Sequence, residues 1–413
     1  MEIFKQTNFD FLGRKWPFII LSLVLTAAGL ISLWVKGGPK YGIDFTGGAL
    51  MDVNFISRPH AEAIRSALRQ RISGEIEVQE VNNAGSQEVL ISTGANAGAA
   101  GNAEHGLETV RNNMLTTLNA AFNPNANGKL DINTSGQTAL ADRLRDPLTA
   151  AGVTLSDDQL QTLVKNIAGY RDAHSGLVRN LDELSSVPGV TPQVLNVIKA
   201  QCFAGNFTIR SFEFVGPKIG ADLRQQAVNV VLLALAAMLV YIAFRFEWIY
   251  GVAAVIAVFH DTIITIGLFS LFNKQIDLTV IAALLTLVGY SMNDTIVTFD
   301  RIRENLKLGV RGTFPQIVNL SINQTLSRTV LTSGLTFLTA LSLFLFGGQV
   351  LNGFSFALVV GIIIGTYSSI FIASPILVFW HNISENRKKG RPAVAVSKPP
   401  SAVKNVKAVR TAK

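Results

Sequence analysis

The chain of 413 residues is 49% hydrophobic, only 15% charged, and carries a formal net charge of +8. So little charge is unusual for a soluble protein, and the apolar residues gather in blocks of about 20, the length of a bilayer-crossing helix. The basic excess flanks those blocks and fills the last stretch, as the positive-inside rule distributes it, so it is no nucleic-acid footprint; Cys202, alone, excludes an internal disulfide.

Residues 1–17, with Lys5, Arg14 and Lys15, precede a first apolar block over 18–35. That block is too long for the h-region of a cleavable signal peptide and reads as a transmembrane helix. YGIDFTGG, Tyr41 to Gly48, follows directly; Gly42, Gly47, Gly48 and the turn-favouring Asp44 suit a tight connection from the membrane to an outer domain. Strand-like alternation over Ala49–Ile56, helical spacing over Arg58–Arg71, strands Glu75–Asn82 and Glu88–Thr93, a helix Glu104–Phe122 and a closing strand Phe207–Phe214 make a β-α-β-β-α-β order. Residues 36–122 and 207–227 are therefore expected to form a ferredoxin-like α+β domain. Residues 123–206 form a helical insertion in it, with a capping-box start at Ser156-Asp157-Asp158-Gln159. FVGPKIG, with Gly216 and Pro217, stands where the chain returns to the membrane. The two Gly/Pro-rich connectors read equally as a hinge pair or as a rigid joint.

Five further apolar blocks, 228–244, 249–271, 278–299, 329–346 and 353–380, complete six transmembrane helices, the last five within 228–380. A basic N-terminus, a basic loop over 300–328 (Arg301, Arg303, Lys307, Arg311) and a basic tail over 381–413 place both termini in the cytoplasm. The ferredoxin-like domain then lies in the periplasm, outside a bacterial inner membrane whose lipid surrounds the spans. The tail, rich in Lys, Pro, Ala and Val, is expected to be disordered.

Asp294, in VGYSMNDTIVTFDRIREN, lies inside the fourth span, where a carboxylate is costly and usually functional. Desolvation favours its neutral acid and a nearby cation its carboxylate, so a group held between those pulls can take up and release a proton; a packing hydrogen bond is the plainer alternative. His260 and Asp261 lie near the middle of the third span, about 100° apart on a helix, and serve either in proton transfer or as fixed interhelical hydrogen bonds. Arg328, placed where the fifth span begins, either snorkels to the interface or reaches a carboxylate. Asp131, Asn133, Ser135 and Gly136 suit a calcium loop only loosely, because its last position is Asp142 rather than Glu. No metal or cofactor is expected, and no P-loop supplies ATP chemistry.

GIDFTGG, FVGPKIGADL, FRFEW, HDTIIT, GYSMNDTIVTFDRIREN, QTLSRTVLTSG and LFGG, in that order, resemble the signatures of the SecF family, within the resistance-nodulation-division superfamily of proton-driven transporters. The resemblance covers residues 1–122 and 207–385. It implies pairing with a six-span SecD-like subunit, an accessory role at the SecYEG channel, and use of the proton-motive force to pull the translocating polypeptide outward, without a chemical reaction. It also implies that Asp294 and Arg328 belong to a proton pathway opposite a SecD aspartate. Single-chain exporters of the superfamily carry twelve spans, and an intramembrane aspartyl protease on Asp261 and Asp294 would carry a G-x-G-D motif; this chain has neither. The insertion is similar to the helix-hairpin-helix domain of the type II secretion minor pseudopilin K, with Pro188-Gly189 as the hairpin turn. Its seven basic and eight acidic residues argue against nucleic acid and for a protein-contact or structural role.

Overall fold

The computed structural model describes residues 7–57, 59–72, 74–80, 87–94, 103–124, 126, 128–245, 248–348 and 350–389. Arg58, the strand end at Val81-Asn82, Phe246-Glu247 of FRFEW and the tail beyond residue 389 lie outside them. Among the described residues, six helices are long and apolar enough to cross a membrane: α1 (Lys15–Val35) and, after the extramembrane region, five more. α1 leads through a short helix α2 (Ile43–Thr46) into strand β1 (Gly48–Phe55), then α3 (Ala61–Arg69), β2 (Ile76–Glu80), β3 (Glu88–Gly94) and α4 (Ala103–Phe122).

The insertion follows: β4 (Leu130–Asp131), α5 (Gln137–Ala150), α6 (Asp157–Ala173), a 3₁₀ turn Leu181–Ser186, α7 (Pro192–Gln201) and β5 (Cys202–Phe203). Strand β6 (Phe207–Val215) then closes an antiparallel sheet in the order β2-β3-β1-β6, the ferredoxin-like arrangement. Alternate residues of β1 (Ala49, Met51, Val53, Phe55) meet Ile64, Leu68, Met114 and Leu118 from the helices, giving this domain its own core. The insertion buries a separate core of Leu144, Leu148, Val164, Ile167, Val178 and Ile198. Ser156 and Gln159 form the reciprocal capping box that starts α6. Asp131 takes amides from Asn133 at 3.0 Å and Gly205 at 2.9 Å and a hydroxyl from Thr134 at 2.9 Å, fastening the insertion's entry to its exit.

The remaining spans are α8 (Pro217–Arg245), α9 (Trp248–Leu271), α10 (Leu278–Lys307), α11 (Phe314–Phe346) and α12 (Asn352–Ser368), the last continuing through a π turn, Ser369–Ala373, into α13 (Ser374–Lys389). These helices outrun their apolar blocks. The loop expected over 300–328 is helical except for 308–313, so Arg328 stands well inside α11 rather than at its start, and the first part of the tail, to Lys389, is helix. Apolar composition marks only the part in hydrocarbon, whereas backbone hydrogen bonding runs on to the first true stop: Gly309 and Gly312 at positive φ, then a capping box of Thr313 with Gln316.

About half or more of the apolar window of α9, α10 and α12 is buried, against only 11% in α1, 6% in α8 and 17% in α11. Before α1, a non-helical segment lies across α11: Asn323 Oδ1 accepts the Phe9 amide and Asn319 Oδ1 the Phe11 amide, both at 2.9 Å, while both side chains donate back to the Phe9 carbonyl. Phe11 and Phe18 then pack on Phe371 of the π turn.

Candidate functional site

Asp294 is 3% exposed in the middle of α10, and its Oδ2 accepts the Ser333 hydroxyl of α11 at 2.9 Å. Arg328 lies on the exposed side of α11 with no ion pair within 4 Å among the described residues, although its charge acts on Asp294. The structure thus brings the two sequence-predicted groups to one helix pair without joining them. The surface beside them is unusual for a membrane protein. Ala282, Thr286, Gly289 and Asn293 form one exposed stripe on α10, and Gln324, Arg328, Thr332, Thr336, Thr339 and Ser342 form another on α11. The threonine hydroxyls satisfy themselves on carbonyls four residues back, but Asn293 has no hydrogen-bond partner among the described residues.

His260 and Asp261 form a second, separate cluster. Asp261 is 1% exposed; its Oδ2 accepts Ser291 of α10 at 2.5 Å and Ser368 of α12 at 2.8 Å, and its Oδ1 lies 2.8 Å from His260 Nδ1. Because both serines donate, the carboxylate is served by three donors when Nδ1 carries the proton, leaving Nε2 to accept the Ser22 hydroxyl of α1. One carboxylate therefore ties three helices together, and His260 extends the cluster to a fourth, α1. Thr295 of α10 meets Ser369 at 2.9 Å, where the span changes to its π turn, a distortion that recurs at functional sites.

The two connectors interlock. Gly47, at φ 72°, has no room for a Cβ, which would stand 2.8 Å from Pro217 Cα, and a Cβ on Gly220 would stand 2.8 Å from the Gly47 amide nitrogen. Gly48, at φ 126°, faces the Thr93 carbonyl of β3 at a distance only hydrogen tolerates. Gly216 precedes Pro217, the first residue of α8. Asp44 accepts the Leu278 amide at 3.0 Å, at the first turn of α10.

Sequence reasoning missed Ser22, Ser291, Ser333 and Ser368, since a serine in an apolar helix looks like any small packing residue until its partner is known. Asn293 was detectable, as an amide beside Asp294 in an apolar run. Outside the membrane, burial first and then the charge of Glu88, partly offset by Arg210, push Asp52 up to about 6.

Six apolar helices, an interrupted ferredoxin-like domain and a buried carboxylate within an apolar helix define a polytopic membrane protein. The family described as protein export membrane protein SecD/SecF, C-terminal, matches residues 195–383, and the SecD/SecF GG motif matches residues 31–55. Protein translocase subunit SecF of Koribacter versatilis is 48% identical over 92% of this chain and 93% of its own length. That of Rhodothermus marinus is 35% identical over 92% and 95%. The crystal structure of SecDF from Thermus thermophilus superposes with a TM-score of 0.60 at 32% identity, covering 91% of this chain; the chain spans 39% of that longer protein. The chain belongs to the SecF family of protein translocase subunits. The expected fold class holds, and protein export is the role the family carries.

Proposed function

We propose that this subunit works with a SecD-like subunit, at a SecYEG channel in a bacterial inner membrane with both termini cytoplasmic, to turn proton flow into outward pull on a translocating polypeptide. The fusion named SecDF supports the pairing, because there one chain extends well beyond the part that this one matches. The observation that carries the reading is Asp294, buried in α10 against one neutral hydroxyl and bordered by the uncovered stripe of Asn293 and Arg328. Polar and small residues on a lipid-facing surface favour close packing against another helix, so the second bundle covers this face and supplies the groups that complete the site.

A charge moved across 100 mV releases about 2.3 kcal/mol, and this becomes work only when protonation favours one arrangement over another. With Asp294 ionised, Arg328 draws toward it; once it is protonated, that attraction lapses and the helices relax to a second arrangement. Asp261 and His260 hold the surrounding helices rather than carry the proton. Asp294→Asn should abolish stimulation of export by the proton-motive force while leaving protein level and SecD association unchanged. Full stimulation in that variant would overturn the mechanism.

A further inference from the structure

The connector Gly42–Gly48 touches more of the molecule than a link between two domains requires. At its start, Ile276 donates its amide to the Lys40 carbonyl and Gly42 donates to the Ile276 carbonyl, both at 2.8 Å, so the loop between α9 and α10 is paired to it as a short parallel bridge. Asp44 then accepts the Leu278 amide, while Asp277 accepts that of Val280 at 2.8 Å. Two carboxylates, only one of them from α10's own cap, therefore hold the N-terminal amides of the helix that bears Asp294. Phe45, 3% exposed, is driven into the bundle among Ile276, Val280, Leu284 and Phe356. Gly47 and Gly220 lock the same segment against α8 backbone to backbone, and Gly48 enters β1 under the Thr93 carbonyl. Glu77 of β2 accepts Gln275 at 3.1 Å and pairs with Lys40, fixing the loop to the sheet at a further point.

We infer that this connector is a strut: it fixes the ferredoxin-like domain to the end of α10 and passes any shift of that helix to the domain as a rigid movement. Asp44 is the positioning residue, acting through the amides of α10. The inference rests on the proton-driven reading above, because that reading places the moving charge on α10. A swivel at these glycines would dissipate such a shift; a strut transmits it.

The geometry offers a direct test. A Cβ built on Gly42 stands 3.4 Å from Asp277 Cβ, close to the separation in a disulfide, about 3.5–4.5 Å. Gly42→Cys with Asp277→Cys, on a Cys202→Ser background, is reconstituted with the SecD and channel subunits and assayed oxidised and reduced. A strut keeps the same stimulation by the proton-motive force in both states, and the cysteines crosslink to the same yield whether or not the membrane is energised. Loss of stimulation on oxidation that reductant restores overturns the strut, and so does a yield that changes on energising, which is readable even if the pair exports poorly. Asp44→Ala should lose stimulation with SecD association intact, and Asp44→Asn, which keeps an acceptor oxygen, should regain most of it; equal behaviour of the two overturns the role of Asp44. Asp294→Asn on the same background keeps the two readings apart. Full stimulation there refutes the proton mechanism, whereas its loss together with a crosslink-sensitive connector refutes only the strut.

Discussion

Replacing Asp261 separates a structural carboxylate from a proton carrier. In Asp261→Ala, Ser291, Ser368 and His260 all lose their acceptor. Side-chain hydrogen bonds between membrane helices contribute roughly 0.6–1.7 kcal/mol each, so three amount to about 2–5 kcal/mol. The lower end applies here, because Ser368 already reaches the Gly365 carbonyl at 3.2 Å and falls back on it. Asp261→Asn behaves differently. Its carbonyl oxygen still accepts both serines, and its amide donates to His260 Nδ1 once the ring moves its proton to Nε2, which then donates to Ser22. Every bond is kept and only the charge is gone. Thermal unfolding of the purified protein in detergent should therefore show a clear loss of midpoint for Asp261→Ala and a near-native one for Asp261→Asn. Export driven by the proton-motive force should follow stability, with Asp261→Asn close to wild type. An Asp261→Asn protein that unfolds like wild type yet exports without any response to the proton-motive force would refute the reasoning and assign Asp261 to the proton path.

Asp52 makes the ferredoxin-like domain sensitive to pH. Its folded-state pKa, about 6, lies above the ordinary carboxylate value of 3.8, so the native domain retains a proton that the unfolded chain releases. Its cost is absent below the lower value and complete above the higher one, and stability falls between them. Asp52→Asn should flatten that fall, measured as thermal midpoints of the domain on either side of this window; an undiminished slope would exclude Asp52 as its source. The insertion should be removable, since Asn206 donates to the Asn123 side chain at 2.9 Å and to the Phe122 carbonyl at 2.6 Å, which puts entry and exit side by side. With residues 125–205 replaced by a short Gly/Ser linker, membrane insertion and SecD association should persist, and loss of association would make the insertion an integral part of the domain.

Much of this architecture is written in local patterns. The apolar blocks mark the spans because hydrocarbon admits little else, and the period-2 alternation of Ala49–Ile56 foretells β1 because one face of the sheet is buried. Helix lengths are less legible: nothing apolar signals that α11 starts at Phe314, because its first turns leave the membrane and rest on a capping box. That hid the setting of Arg328, which a boundary drawn at Thr329 puts just before the helix and the structure puts well inside α11. The candidate site shows the same division. Asp294, Asp261 and His260 stand out because ionisable groups are rare at that depth, whereas the serines that serve them depend on how α1, α9, α10, α11 and α12 come together. The connectors left hinge and joint undecided for a related reason: glycine serves both bending and close approach, and only its neighbours tell which.

The clasp on the N-terminal segment bears on biogenesis. Phe9 is held by Asn323, 314 residues further along the chain, so a stretch made before α1 docks on a helix made long after it. α1 enters the bilayer long before α11 exists, and its neighbours, α9 and the π turn, also follow it. Until α11 arrives, the stretch around Phe9 and Phe11 has no seat, and Phe11 and Phe18 close over the π turn only when the sixth span has followed. Such distant pairing delays final consolidation, which makes the clasp a late event: it fastens only when five spans are already in place.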